Sequence, residues 1–182
     1  MANELENKTI AILVTNGFEQ EELTRPRRAL HDAGATTHIV SPESGKLRAW
    51  DHSDWGESFS VDVAVAEAKA DDYDGLLLPG GVMNPDKLRR NPEVQRFVRE
   101  FFDARKPVAA ICHAPWTLID AGVVKGRKLT SYPSLQLDLQ NAGAEWVDQE
   151  VVVDKGLVTS RRPDDIPAFN EKMIEEFVEG PH

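Results

Sequence analysis

A chain of 182 residues supports one hydrophobic core and leaves little room for a second. Hydrophobic residues make up 41% and charged residues 29%, the balance of a globular protein rather than a disordered one. The formal net charge of -10 disfavours nonspecific attraction to nucleic acid or anionic lipid, both negative themselves, so small molecules or proteins are the expected partners. MANELENKT has no basic segment leading into an apolar stretch, and no apolar run reaches bilayer-spanning length. A cytoplasmic location without a membrane partner is expected. With a single cysteine the chain cannot form an internal disulfide, and stability must come from core burial.

In chain order, Thr9 to Thr15 (TIAILVT) is a continuous β-rich run, the pattern of a central strand covered on both faces of a parallel sheet. Gly17 to Ala33 reads as loop and then helix, Gly34 as its stop, and Thr36 to Val40 as the next strand, which makes a βαβ unit. The segment Ala49 to Trp55 (AWDHSDW) reads as a loop over the sheet edge, placed to act as a lid. Asp74 to Pro79 and Val108 to Ile111 repeat the buried-strand signal. Between them, the helical stretch Pro92 to Ala104 turns Val94, Phe97, Val98, Phe101 and Phe102 to one inward face. Glu150 to Val153 and Leu157 to Ser160, separated by DKG, predict a hairpin before a final helix from Asp164 to Val178.

The chemistry concentrates where strand Val108 to Ile111 ends in Cys112-His113-Ala114-Pro115. In an open α/β sheet ligands sit beyond the carboxyl ends of the strands, and a sharp strand-to-helix turn thrusts its residue into that crevice. A lone cysteine is commonly a small buried hydrophobe. Here its place at the strand end argues instead for a nucleophile, with the dipole of the following helix expected to favour the thiolate. Pro79-Gly80-Gly81 ends the neighbouring strand, where paired glycines let backbone N–H groups approach an oxyanion together with the N–H of His113. Glu19, Glu21 and Glu22 follow the first strand. Glu19 and Glu22 are three apart, so one can turn inward, where burial beside a thiolate would raise its pKa and let it donate to sulfur. His31, His38, His52 and His182 are scattered without metal-ligand spacing, so no metal is expected. Arg161-Arg162-Pro163 is read as a structural pair with the adjoining aspartates.

AICHAP (Ala110 to Pro115), LLLPGG (Leu76 to Gly81), GFEQEEL (Gly17 to Leu23), GRKLTSYPS (Gly126 to Ser134) and AGAEWVDQEVVVD (Ala142 to Asp154) together resemble the PfpI family, within the class I glutamine amidotransferase-like superfamily. The likeness spans nearly the whole chain and implies one such domain over residues 1–182. It implies a flavodoxin-like parallel sheet sandwiched between helices, with a C-terminal β-hairpin, assembled as a homodimer or larger homo-oligomer without a cofactor. By that resemblance Cys112 is the nucleophile and Glu22 the protonated carboxyl facing its sulfur. As in the family's peptidase-like members, His113 is a general base completed by an acid from a neighbouring subunit, for which Asp86 is the nearest match. The Asp86 segment carries an extra residue relative to the family pattern. Gly80, Gly81, Glu19, Tyr132 and Ala114 surround the pocket, Ala114 standing where relatives commonly have glycine, and Trp116 adds bulk beside it.

Two kinds of function follow. One is an enzyme in which Cys112 attacks a small carbonyl substrate or a glycated protein, with deglycase or glyoxalase-like chemistry ranked ahead of an intracellular cysteine peptidase. The other is a stress-response protein whose Cys112 senses oxidant, or whose surface acts as a chaperone, with little turnover.

Overall fold

The computed structural model describes residues 3–182. In chain order the elements are β1 (Thr9–Leu13), α1 (Gln20–Asp32), β2 (Thr36–Ser41), β3 (Lys46–Asp51), β4 (Asp54–Ser60), β5 (Val63–Ala64), β6 (Gly75–Leu78), α2 (Met83–Leu88) and α3 (Pro92–Asp103). They continue with β7 (Val108–Ile111), α4 (Pro115–Ala121), β8 (Lys128–Leu129), α5 (Gln136–Asn141), β9 (Glu145–Trp146), β10 (Val152–Asp154), β11 (Leu157–Ser160) and α6 (Ile166–Glu179). One seven-stranded sheet has the order β10-β11-β7-β6-β1-β2-β5, parallel throughout except for β10 at its edge. Among the described residues no helix is long and apolar enough to cross a membrane.

The side-chain alternation of β1 explains the layering. Ile10 and Ile12 face one side and pack with Leu23 and Leu30 of α1 and Phe169, Met173 and Phe177 of α6. Ala11 and Leu13 face the other side, with Val94, Phe97, Val98 and Phe101 of α3 and Leu118 of α4. Both faces are covered, as the uninterrupted apolar run requires. Each fully buried Phe or Leu contributes roughly 1.5–3 kcal/mol relative to exposure. The α3 helix starts where expected for a local reason: the Asn91 side chain accepts from the N–H groups of Glu93 (2.8 Å) and Val94 (3.3 Å), and Pro92 occupies the first turn.

The predicted C-terminal hairpin forms, with Val152 opposite Thr159, but it is no appendage. Its second strand, β11, pairs in parallel with β7 over Leu157 to Ser160 and completes the core of the sheet. Residues 49–55, read as a loop, instead form the end of the antiparallel β3–β4 hairpin. Its tip meets the start of α1 through His52, whose N–H donates to Glu19 Oε2 at 3.0 Å and whose Nε2 lies 2.8 Å from Glu21 Oε2, and further along β4 Gln20 and Glu57 exchange hydrogen bonds of 2.9 and 2.8 Å. These non-local bonds add to the hairpin's own strand pairing.

Candidate active site

The chain runs from β1 to β2 on one side and reaches β6 and β7 on the other, so the strand order reverses between β1 and β6. Loops leaving that end of the sheet diverge and open a crevice. Gly17, Glu19 and Glu22 follow β1, Gly81 follows β6 and Cys112 follows β7, and all line one cleft of about 480 Å³. Trp50 and His52 of the β3–β4 hairpin wall it, and Tyr132 stands at it with 40% of its surface exposed.

Cys112 sits at φ +65°, a left-handed conformation that costs energy for any residue with a side chain. Two bonds hold it there. Its N–H donates to Ser160 O at 3.0 Å, and its carbonyl accepts from Tyr132 N–H at 2.8 Å. The elbow is thus bound to β11 on one side and to the Tyr132 segment on the other, and only 7% of the residue is exposed.

The two glycines are sterically required. A Cβ on Gly80 would lie 2.6 Å from Glu22 Oε1 and 2.7 Å from both Cys112 Cβ and Ile111 O. One on Gly81, at φ +81°, would lie 2.7 Å from Glu19 N and Gly17 O. Gly80→Ala is therefore expected to destabilise the fold by about 1–3 kcal/mol, as overpacking does. A urea melt of the variant within 0.5 kcal/mol of wild type would show that this approach is not tight. Asn84, fully buried, braces the same turn: its Nδ2 donates to Pro79 O (2.9 Å) and Gly80 O (3.1 Å), and its Oδ1 accepts from Thr15 N–H (2.8 Å). Nothing in the local sequence around Asn84 singles it out.

Of the two candidate carboxylates, Glu22 turns inward and has no exposed surface. Its Oε1 accepts from Gly80 N–H at 3.0 Å. Burial, and then the nearby Glu19 charge, push its carboxyl from 4.5 up to about 8, against the opposing pull of the Gly80 N–H and the Cys112 sulfur. Glu22 is therefore mostly protonated at neutral pH. Its Oε2 makes no hydrogen bond of regular geometry, and the Cys112 sulfur lies near enough to lower the carboxyl's pKa. Glu19 remains at the rim as the residue before α1, its Oε2 accepting from His52 N–H at 3.0 Å.

Burial also pushes the Cys112 thiol up, and an ionised Glu22 pushes it further, while the backbone N–H groups of Gly81 and His113 favour the thiolate. The expectation of a thiol lowered by the helix dipole is corrected accordingly, since desolvation is the largest effect. Protonation of Glu22 removes the second upward push and leaves burial, with a smaller push from Glu19, opposed by the two N–H donors. His113 Nδ1 lies 3.1 Å from the sulfur. Burial lowers the imidazole to about 4, so it is neutral at pH 7 and can accept a proton. Its ring stacks on Tyr132 at 4.6 Å and meets Trp116 edge-on at 5.1 Å.

Two expectations are revised. Ala114 is buried in the core below the elbow, with its N–H bound to Ile111 O at 3.1 Å, so it supplies neither an oxyanion donor nor a cleft wall. Trp116 backs His113 rather than narrowing the cleft. Asp86 is exposed on α2 and does not reach the cleft of its own chain. Arg161 does pair structurally, through Nε to Asp165 (2.9 Å) and NH1 to Asp148 (2.9 Å). His52, scattered in sequence, joins Glu19 and Asp51 at the rim, and its Nε2 is engaged by Glu21 at 2.8 Å.

A reversing parallel sheet with a strained cysteine at one strand end, faced by a buried acid, defines a class of flavodoxin-like proteins with an elbow cysteine. Residues 8–176 match the model of the DJ-1/PfpI family, and the chain belongs to that family. It is 44% identical to the putative cysteine protease YraA of Bacillus subtilis over 168 residues, covering 92% of this chain and 97% of that protein. It is likewise 44% identical to protein/nucleic acid deglycase 2 of Escherichia coli over 169 residues, covering 92% and 96%. The crystal structure of DJ-1beta from Drosophila melanogaster matches with a TM-score of 0.85 at 28% identity, covering 98% of this chain and 91% of that one.

Proposed function

We propose that the protein is a cytoplasmic stress-response hydrolase that removes methylglyoxal-type adducts through Cys112. The observation that carries this reading is the neutral Glu22 carboxyl beside a sulfur that also meets the Gly81 and His113 N–H groups. In the first step the sulfur forms a bond to the carbonyl carbon while the C=O electron pair moves to oxygen. The thiol proton passes to His113 Nδ1, and the two N–H groups stabilise the oxyanion. The aldehyde attacked is the one freed when the adduct's carbinolamine C–N bond breaks and the amine leaves with the carbinol proton, and His113 returns its proton to the oxyanion to give a hemithioacetal. A proton moves from that carbon to the neighbouring carbonyl carbon through an enediol, leaving a thioester, and water then cleaves its C–S bond to release a hydroxy acid and restore the Cys112 thiol. The 480 Å³ cleft, closed on one side by Trp50 and His52, favours a small carbonyl compound over an extended peptide.

A second reading, oxidant sensing, is favoured by the Glu22 carboxyl beside the sulfur, whose proton would donate to an oxygen added there. A methylglyoxal-adduct assay run beside a peroxide titration read by intact mass separates the two. Turnover of the adduct is expected, together with two oxygens added at Cys112 under peroxide. Oxygen uptake without turnover overturns the hydrolase reading in favour of sensing.

The protein is further proposed to act as a homo-oligomer in which Asp86 reaches the His113 of a second copy, since Asp86 is exposed and outside its own cleft. Light scattering at micromolar concentration is expected to give at least twice the 20.3 kDa chain mass, and a monomer rejects this arrangement.

A further inference from the structure

At the opposite end of β7 from Cys112, a second concavity of about 490 Å³ lies between the α3–β7 turn and the β10–β11 turn. Arg105, Lys106, Arg127, Lys155 and His182 line it, and no Asp or Glu does. Such a concentration of cations is unusual in a chain with a net charge of -10. We propose that this pocket binds a small, multiply charged oxyanion of the phosphate-ester class, at a site separate from the cysteine cleft.

Arg127 is the anchor. Its guanidinium lies 4.8 Å over the ring of Phe102, with Nε donating to Val123 O (3.1 Å) and NH1 to Asp154 O (3.3 Å). Those carbonyls orient the fork without neutralising it, and among the described residues no carboxylate bonds to it. The acid whose charge acts on it, Asp154, makes no bond to it, while its Oδ2 accepts from Lys128 N–H at 2.8 Å. A partly desolvated guanidinium without a carboxylate partner gains most from an anion, which its remaining N–H donors can meet in the plane of the fork.

Arg105 and Lys155 make no side-chain hydrogen bond or ion pair among the described residues, so their charges are free to converge on a ligand. Lys106 is otherwise occupied, its Nζ donating to Ala70 O and Tyr73 O at 2.8 Å each, and it adds field rather than a contact. His182 is turned toward Glu176 and Glu179 and closes the pocket without contributing a free cation. The other arginine-rich hollow, along α1 at Arg25, Arg27 and Arg28, contains Asp32 and Glu57 and lacks this unopposed charge. Confinement to a concavity, rather than a stripe, suits a compact anion and not a nucleic acid backbone.

Calorimetric titration with inorganic pyrophosphate tests the site. Wild type is expected to bind with a stoichiometry of one per chain, and affinity is expected to fall as ionic strength rises. Lys155→Gln, at an exposed turn, and Arg105→Gln are each expected to weaken binding at least threefold, and Arg127→Gln at least tenfold. Cys112→Ser should bind as wild type does. If Arg127→Gln fails to fold, the Arg105→Gln/Lys155→Gln pair decides, with at least tenfold weakening expected. Absence of binding to wild type at millimolar pyrophosphate, unchanged affinity in that pair, or amide shifts centred on α1 instead of residues 105, 127 and 155 would overturn the proposal.

Discussion

Cys112→Ser is expected to lower turnover of methylglyoxal adducts by about 10³-fold or more while leaving the fold intact. The large effect arises because every other part of the site presupposes a polarisable sulfur. A hydroxyl at the same elbow gives up its proton far less readily than a thiol, and the neutral His113, lowered to about 4, is too weak a base to compensate. The small structural effect follows from the backbone. The bonds to Ser160 O and from Tyr132 N–H involve main-chain atoms only, and they hold position 112 in its left-handed conformation with either side chain. Activity assays paired with urea melts check both halves. A Cys112→Ser variant retaining more than a tenth of wild-type turnover would mean that the chemistry does not pass through this sulfur.

The second large effect concerns Glu22 and is read in stability against pH. Its carboxyl titrates near 4.5 when exposed and near 8 in the folded protein. Between those values the folded state keeps a proton that the unfolded state has lost. Stability conferred by this group is therefore complete below about 4.5, declines as pH rises toward 8, and is level above it. At 1.36 kcal/mol per unit the decline is on the order of 3–5 kcal/mol. Glu22→Gln is expected to abolish it, since the amide oxygen still accepts from Gly80 N–H and nothing ionises. Glu22→Asp draws the carboxyl back from that N–H and is expected to cost about 1–3 kcal/mol at pH 5. Urea-derived unfolding free energies at pH 5 and pH 8 give the test, and equal slopes in wild type and Glu22→Gln would contradict the buried acid.

The same variants should move the reactivity of Cys112. An ionised Glu22 repels the thiolate, so Glu22→Gln is expected to shift the pH profile of iodoacetamide alkylation to lower pH and Glu22→Asp to shift it upward. Glu19→Gln is the control, because the Glu19 charge is a lesser influence on the sulfur than Glu22 is. If only Glu19→Gln displaced the profile, the acid that matters would be the wrong member of the pair. If none displaced it, the pairing of acid and sulfur would be mistaken.

What the sequence determined by itself is what local pattern can encode. The apolar run at Thr9 marks a central strand because a parallel strand buried on both faces leaves no polar position. The 3.6-residue spacing of Val94, Phe97, Val98 and Phe101 marks the buried face of α3, and Pro92 marks its start. The end of the run Val108 to Ile111 puts Cys112 at the ligand-binding edge, because open parallel sheets bind there. That one of Glu19 and Glu22 would turn inward also follows from helical spacing.

Only the tertiary structure decided the rest, because it depends on groups distant in sequence. Residues 49–55 have weak strand character, and they form a hairpin wall of the cleft held by the bonds of His52 to Glu19 and Glu21. Asn84 gains its bracing role from carbonyls and an N–H supplied by two other strand ends. The protonation states of Glu22, Cys112 and His113 belong to neither residue type nor spacing. They follow from desolvation, and desolvation exists only once β1, β6 and β7 have brought their loops together and excluded water from the space between them.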